Sequence, residues 1–170
     1  MACRHHHESM VVVRAATPDD WRAMRDTRLA ALRDAPQAFA STVEREEAFT
    51  EEEWRARTQV RAQSVMYMAE VEGLAEPAGM AGVRAEAEAA HLIGMWVRPV
   101  ARGQKAGEAL IEAALGWARS RGLDSMYLWV TEANAPARRL YERCGFTMTG
   151  DRQPLPSDPA IPEVRMSRPL

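Results

Sequence analysis

The chain has 170 residues, of which 46% are hydrophobic and 27% are charged, and its formal net charge is −2. This length supports one well-buried core and is too short for two, so we expect a single domain over residues 10–170. The small net charge gives no bulk electrostatic reason to expect nucleic acid or an anionic membrane as a partner, and no apolar run approaches the roughly 20 residues that cross a bilayer.

The first nine residues carry no pattern of a folded element. They lack the apolar segment of a secretion signal, so we expect a disordered leader over residues 1–9 and a cytoplasmic protein. His5, His6 and His7 are adjacent on this end and do not fix a coordination geometry, so no metal site is predicted. The two cysteines, Cys3 and Cys144, are too few for a disulfide framework.

The first half of the chain predicts an antiparallel sheet and two helices. Short β-branched or alternating runs indicate the strands, and a threonine with acidic residues behind it indicates the start of each helix. The expected elements are a strand at residues 10–15, a helix from Thr17 to about Arg33, an irregular connection at 37–49, a helix from Thr50 to about Gln63, and strands at 65–71, 79–84 and 89–97.

The second half predicts a crossover between parallel strands. An amphipathic helix over residues 105–121 joins the strand at 89–97 to a nearly apolar strand at 125–130, and ligands in such sheets bind beyond the carboxyl ends of the strands. A short helix follows Asn134, and strands are expected from Thr147 and at 163–168. The prolines between those two strands predict a stiff, non-helical loop, either over a substrate opening or as a plain surface connection; they are Pro154, Pro156, Pro159 and Pro162.

Two motifs indicate a binding site. The first runs from an apolar strand through a small-residue turn with Gly103 and Gly107 into a helix, whose first-turn amides have no intrahelical partner and can hold an anion. The second is the segment from Asn134 to Phe146, in which Asn134 and Tyr141 lie about two helical turns apart and share one face.

These motifs resemble the GNAT superfamily of N-acetyltransferases, in which an Arg/Gln-x-x-Gly-x-Gly/Ala loop precedes an Asn-x-x-Ala-x-x-Leu-Tyr-x-x-x-Gly-Phe segment. The second motif matches throughout, whereas Lys105 replaces the usual glycine in the first, where a positive φ would strain a lysine. The resemblance implies an α/β (α+β) fold: a mixed, mostly antiparallel sheet of six to seven strands, flanked by about four helices, with the fourth and fifth strands splayed apart.

The resemblance also implies acetyl-CoA as co-substrate. The amides from Gly103 to Glu108 would hold its pyrophosphate, with charge from Arg102 and Lys105, and its pantetheine arm would pair with the strand edge at residues 95–97. The Val97 N–H would face the thioester carbonyl. The implied cofactor-binding residues are Met95, Trp96, Val97, Arg102, Gly103, Gln104, Lys105, Ala106, Gly107, Glu108, Asn134, Ala137 and Tyr141.

Direct transfer to an amine requires a base and an acid, because a lysine-like amine is mostly protonated near pH 7. His91 lies eleven residues before Arg102, where several branches of the family carry a Glu or His, and is the expected base. Glu132 and Glu88 are the alternatives. Tyr141 matches the general acid of the family, although an aromatic core residue would also fit there.

The resemblance therefore implies an N-acetyltransferase that acts in a ternary complex on an amine of a small molecule or a protein, without a metal. No motif identifies the acceptor, and a homodimer is expected only by similarity. A non-catalytic acyl-CoA sensor of the same fold is one alternative. A dinucleotide-binding oxidoreductase is another, but the first strand leads to Thr17 and Pro18 rather than to Gly-x-Gly-x-x-Gly.

Overall fold

The computed structural model describes residues 10–170, and the expected leader at residues 1–9 lies outside the described part. Its seven strands form one sheet in the order β1-β2-β3-β4-β5-β7-β6. The strands are β1 Val11–Ala15, β2 Ser64–Val71, β3 Gly79–Glu86, β4 Ala89–Val97, β5 Ser125–Thr131, β6 Thr147–Leu155 and β7 Asp158–Pro169. The α-helices are α1 Trp21–Asp34, α2 Val43–Glu47, α3 Glu51–Thr58, α4 Ala106–Ser120 and α5 Ala135–Arg143. The strands β4 and β5 pair in parallel, and the other neighbouring pairs within residues 10–170 are antiparallel.

The sheet carries a hydrophobic core on each face. One core packs α4 against the sheet through residues such as Leu110, Ile111 and Leu115, and it includes Tyr141 of α5. The second core lies on the opposite face and packs α1 and α3 through Trp21 and Trp54. The alternation of side chains along each strand supplies both cores, as expected for a sheet covered on two faces.

The two predicted helices of the first half are confirmed, with one change in length. Thr50 and Glu53 form the expected capping box of α3. This helix ends at Thr58 instead of about Gln63, because the Thr58 hydroxyl donates to the carbonyls of the last turn and the backbone becomes extended at Gln59. The segment 37–49, expected to be irregular, contains the short helix α2, which Thr42 caps by accepting from the Arg45 amide.

The expected proline-rich loop is a β-hairpin. The strands β6 and β7 pair along most of their length and turn between Leu155 and Asp158. Proline is tolerated here because β6 is an edge strand, and because Pro159 and Pro162 of β7 lie beyond Glu163, the last residue that pairs with β5. The prediction of a non-helical segment holds, but the prediction of a loop was wrong, because proline is compatible with an extended edge.

The strands β4 and β5 splay apart as expected. They pair only from Ala89 with Ser125 to His91 with Tyr127, after which β5 continues along β7. A bulge in β4 lies beyond this point, where Gly94 has a φ of 61° and the register with β3 shifts. The bulge reverses the alternation of side chains, so that Leu92 belongs to the core on the α4 face whereas Trp96 belongs to the core on the α1 face.

Candidate active site

A cavity of about 700 Å³ fills the opening between β4 and β5. Met95, Asn134, Ala137 and Tyr141 line it, and so does His91. The structure thus brings together the two residues predicted to be catalytic, Tyr141 and His91, and three further residues predicted to bind the cofactor. Trp96 and Val97 do not line the cavity, and neither do the residues from Arg102 to Glu108. A 3-10 turn at Pro99–Ala101 separates this second segment from the end of β4 at Val97.

The loop before α4 contains two residues in the left-handed region of the backbone. Gly103 has a φ of 83°, and Lys105, the residue that precedes the helix, has a φ of 65°. A lysine in this left-handed conformation costs on the order of 1 kcal/mol relative to glycine. The first bond of the helix joins the Ala109 amide to the Lys105 carbonyl at 3.1 Å, so the amides of Ala106, Gly107 and Glu108 precede the intrahelical ladder.

Gly107 has a packing role that the sequence did not reveal. A Cβ added to it would lie 2.9 Å from Leu140 Cδ2 and 3.4 Å from Met95 Cε. The missing side chain therefore lets the start of α4 approach α5 and β4. Glu108 supports the same contact, because its carboxylate pairs with Arg143 of α5 at 3.3 Å.

The side chains of Arg102 and Trp96 both bind Asp34 at the end of α1. Arg102 Nη2 and Trp96 Nε1 lie 2.9 and 3.0 Å from Asp34 Oδ2, and Arg102 Nε donates to the Val97 carbonyl at 3.1 Å. Gln104 donates its side-chain amide to the Val100 carbonyl. The Trp96 indole is thus part of the core on the α1 face, and only its backbone can serve the predicted pairing with a ligand.

The free edge of β4 faces the opening. The Arg98 amide donates to the Ala78 carbonyl at 2.7 Å, on the β3 side. Because successive amides of a strand point to opposite edges, the Val97 N–H points away from β3, towards the side on which β5 has diverged. This is the orientation that the resemblance implied.

His91 lies at the vertex of the opening. Its ring stacks on Tyr127 at a centroid distance of 4.4 Å, and its Nδ1 lies 3.3 Å from both Glu86 Oε1 and Arg84 Nη2. Tyr127 donates its hydroxyl to the other oxygen of Glu86. Burial lowers the pKa of His91 below its ordinary value, against the opposing effect of Glu86. Arg84 is a donor and Glu86 an acceptor at the same distance from Nδ1, so each tautomer of the neutral ring satisfies one of these two contacts.

The alternative bases lie outside the cavity. Glu132 pairs with Arg152 at 2.5 Å, and Glu88 is exposed in the turn between β3 and β4. A different carboxylate lines the cavity instead: Glu163 of β7 is 6% exposed, and one of its oxygens accepts from Gln153 at 2.9 Å. The alternating pattern of the last strand was the signal for this residue, which the sequence analysis did not single out.

Tyr141 presents a neutral phenol to the cavity. Its side chain is buried and packs edge-on against Phe146, and burial raises the pKa of its hydroxyl well above the ordinary value, with a further contribution from Cys144. No group within residues 10–170 hydrogen-bonds to this hydroxyl. Asn134 lies before α5, where its side chain accepts from the Ala137 amide at 3.3 Å and caps the helix.

The described residues show neither a metal-binding cluster nor a membrane-spanning helix. Residues 10–170 contain no group of three or more His, Cys, Asp or Glu side chains that could hold a metal ion. Among the helices of this same range, none combines the length and the apolar character needed to cross a membrane.

Solved structures share this architecture. A GCN5-related N-acetyltransferase from Kribbella flavida has a TM-score of 0.74 and 26% identity, covering 94% of this chain and 98% of that one. The PaiA N-acetyltransferase from Thermoplasma acidophilum, solved in complex with coenzyme A, has a TM-score of 0.70 and 16% identity over 95% and 99% of the two chains.

Comparison of sequences agrees with the fold. The mycothiol acetyltransferase of Thermobispora bispora is 55% identical over 51 residues, which are 30% of this chain and only 17% of that protein. The sequence model of the acetyltransferase (GNAT) family matches residues 27–146, which is most of the chain. On this match, the protein belongs to the GNAT acetyltransferase family.

Proposed function

We propose that the protein is an N-acetyltransferase that moves the acetyl group of acetyl-CoA to an amine by direct attack in a ternary complex. The observation that carries this proposal is the opening of β4 and β5 beyond His91 and Tyr127, with a cavity that places a basic and an acidic side chain around one volume. Family membership favours this reading over a non-catalytic acyl-CoA sensor.

The described residues fit acetyl-CoA. The unpaired amides at the start of α4 suit its pyrophosphate, since a helix N-terminus combines free donors with a favourable dipole. The amide-containing arm would extend along the free edge of β4, from the helix to the cavity, and the Val97 N–H would polarise the thioester carbonyl. Asn134 and Ala137 lie on the opposite side of this path, at the start of α5.

Three proton transfers complete the proposed reaction. His91 removes a proton from the ammonium of the acceptor, so that the nitrogen lone pair can attack the acetyl carbon and the bond to sulfur can break. The departing thiolate, with a pKa near 8.5 by analogy with cysteine, takes the proton of Tyr141. The second proton, which the nitrogen loses as it becomes an amide, restores the Tyr141 phenol, and the proton held by His91 passes to solvent. Burial suits both residues, because it keeps the imidazole neutral and the phenol protonated near pH 7.

The acceptor is a small molecule or a protein that carries an amine. We also keep as predictions a cytoplasmic location, the absence of a metal and a homodimer. The oxidoreductase alternative finds no support, since β1 continues into Thr17 and the sheet is mostly antiparallel, unlike a doubly wound dinucleotide domain.

The test measures thiol release from acetyl-CoA with a panel of amines, alongside calorimetric titration of acetyl-CoA. We expect amine-dependent release, and we expect Tyr141→Phe to lower kcat by about 10²-fold or more while acetyl-CoA affinity stays within a few-fold. Tyr67→Phe is the matched control, because Tyr67 is a half-buried tyrosine of β2 that does not line the cavity. Binding of acetyl-CoA without turnover of any amine would favour the sensor.

A further inference from the structure

We propose that the acceptor carries an oxyanion, a carboxylate or a phosphate, a few bonds from its amine, and that Arg28 binds this group. This inference rests on the function proposed above and specifies its second substrate. It depends on an ion-pair cluster of Arg28, Glu46 and Arg57 at the cavity, none of which was among the residues predicted from the sequence.

The guanidinium of Arg28 is oriented by two contacts. Its Nε and Nη2 donate to the two oxygens of Glu46 at 2.8 and 3.0 Å, and its centre lies 4.8 Å from the centroid of the Phe39 ring. Such a bidentate pair fixes the plane of the group. The remaining nitrogen, Nη1, has no acceptor within residues 10–170, and Arg28 is one of the residues that line the cavity.

Nη1 of Arg28 lies beside the bulge of β4. It lies 3.4 Å from where a Cβ would stand on Gly94, in the bulge of β4 that borders the opening. The proposed path of the thioester runs along this edge. An anion held by Nη1 would therefore be close to the attacking nitrogen, which favours a compact acceptor such as an amino acid over a long polyamine.

The charges of the cluster leave one positive charge for a ligand. Glu46 is fully buried and lies between Arg28 and Arg57, whose Nη1 is 3.5 Å from it. Two guanidinium groups thus share one carboxylate, and Arg57 also lines the cavity. The Arg28 side chain is 16% exposed and that of Arg57 is 43% exposed, so both reach the solvent of the cavity, where an oxyanion would give Arg28 Nη1 a charged acceptor.

The other charged groups of the cavity complement this arrangement. Arg84 is paired with Glu86, and His91 is adjacent to the same carboxylate, so this corner has little net charge. Glu163 of β7 also lines the cavity, hydrogen-bonded to the neutral Gln153. A cavity with one excess positive and one excess negative charge suits a zwitterion, whose ammonium would be attracted by Glu163.

The test compares matched acceptors that share an amine: several amino acids with their amides, and phosphoethanolamine with ethanolamine. The readout is the ratio of kcat/KM for the acid to that for its neutral analogue. We expect wild-type ratios of about 10 to 100, carried mainly by KM, since a hydrogen bond to a charged group contributes on this scale. Whether carboxylates or phosphates have the higher ratio identifies the kind of oxyanion.

The principal variant is Arg28→Gln combined with Glu46→Gln, which removes the guanidinium proposed to bind the oxyanion without leaving a buried carboxylate unpaired, and which keeps the net charge of the cluster because Arg57 remains. Its acid-to-neutral ratio should fall about tenfold or more relative to wild type, and this comparison cancels differences in amine basicity between acceptors. Arg57→Gln is a second variant that leaves the Arg28 to Glu46 pair intact; by removing the excess charge it should also raise KM for the acids. The matched control is Arg33→Gln with Glu47→Gln, an exposed ion pair between the same two helices, which should leave the ratio unchanged.

Three results would overturn the proposal. Equal kcat/KM for acids and neutral analogues in the wild type would show that no oxyanion is recognised. An equal loss for both in the Arg28 variant would give this cluster the purely structural role of holding α1 to α2. After either of these two results, turnover of neutral amines would still support the acetyltransferase function. The third result, the absence of thiol release with every amine, would overturn both proposals together.

Discussion

Gly79→Ala is predicted to weaken both the fold and the binding of acetyl-CoA. Gly79 is a buried residue of β3 that lies opposite Val97, and a Cβ added there would stand 2.5 Å from the Trp96 carbonyl oxygen and 3.2 Å from both Val97 Cα and Leu110 Cδ1. The nearest contact is with backbone, so no rotation of a side chain relieves it. The edge of β4 proposed to pair with the pantetheine arm must therefore move.

The magnitude follows from two opposing effects. Overpacking costs about 1–3 kcal/mol, whereas replacing glycine by alanine stabilises by about 0.4–1 kcal/mol through the unfolded chain. The net loss of about 1–2 kcal/mol corresponds to a fall in Tm of about 2–8 °C for a domain of this size. Because the shift occurs at Trp96 and Val97, the Kd for acetyl-CoA should rise several-fold as well.

The assay combines thermal unfolding with calorimetric titration of acetyl-CoA, and Gly116→Ala is its control. Gly116 lies within α4, and a Cβ added there meets nothing within 4 Å. This substitution should raise Tm by about 1–4 °C, since alanine is favoured over glycine in a helix by about 0.5–1 kcal/mol, and should leave the affinity unchanged. A Gly79→Ala protein with unchanged Tm and affinity would refute the close approach of β3 and β4 on which this reasoning depends.

Three further predictions concern single groups. His91→Gln should flatten the acidic limb of the pH profile of kcat/KM. In the wild type, the midpoint of this limb should lie below 6.5, because burial lowers the pKa of His91. An unchanged acidic limb in the variant would assign the role of base to another residue. Gly107→Val should raise the Kd for acetyl-CoA and lower Tm. Adding Leu140→Ala to this variant should partly restore the Tm, since the added valine side chain meets Leu140. Additive losses of Tm in the double variant would contradict this contact. The Arg14 guanidinium lowers the pKa of Asp20 to about 2. The stability that Asp20 contributes is therefore present above pH 4 and is lost as the pH falls from about 4 towards 2. In this window, the free energy of unfolding of Asp20→Asn should change less steeply with pH than that of the wild type.

The elements that the sequence predicted well are those with strong local signals. The capping box at Thr50 and the strand at residues 89–97 depend on neighbours along the chain, and the structure has both. The hairpin of β6 and β7 was missed because it depends on non-local pairing that a local pattern does not contain. The early end of α3 was also missed, although the contacts of the Thr58 hydroxyl there are local. For the prolines, the decisive fact is that β6 is the last strand of the sheet.

The candidate site shows the same division. Tyr141, His91 and Asn134 line one cavity, as the resemblance implied. For Glu163, the alternating pattern of its strand was the available signal. The cluster around Glu46 could not be predicted, because Arg28 and Glu46 are eighteen residues apart in the chain and meet only when α1 packs against α2. Gly107 shows a subtler case: its motif position suggested the approach of a ligand, whereas its missing side chain accommodates Leu140.

Asp34 couples the two halves of the proposed site. It ends α1, the helix that presents Arg28 to the cavity, and its carboxylate binds both Trp96 and Arg102 at the end of β4. The bulge at Gly94 makes this possible, since without the reversed alternation Trp96 would face α4 instead of α1. Asp34 therefore links the helix that would recognise the acceptor to the strand edge that would hold acetyl-CoA. We expect changes in the segment at residues 37–49, which contains Glu46 but not Asp34, to alter acceptor preference more than the affinity for acetyl-CoA.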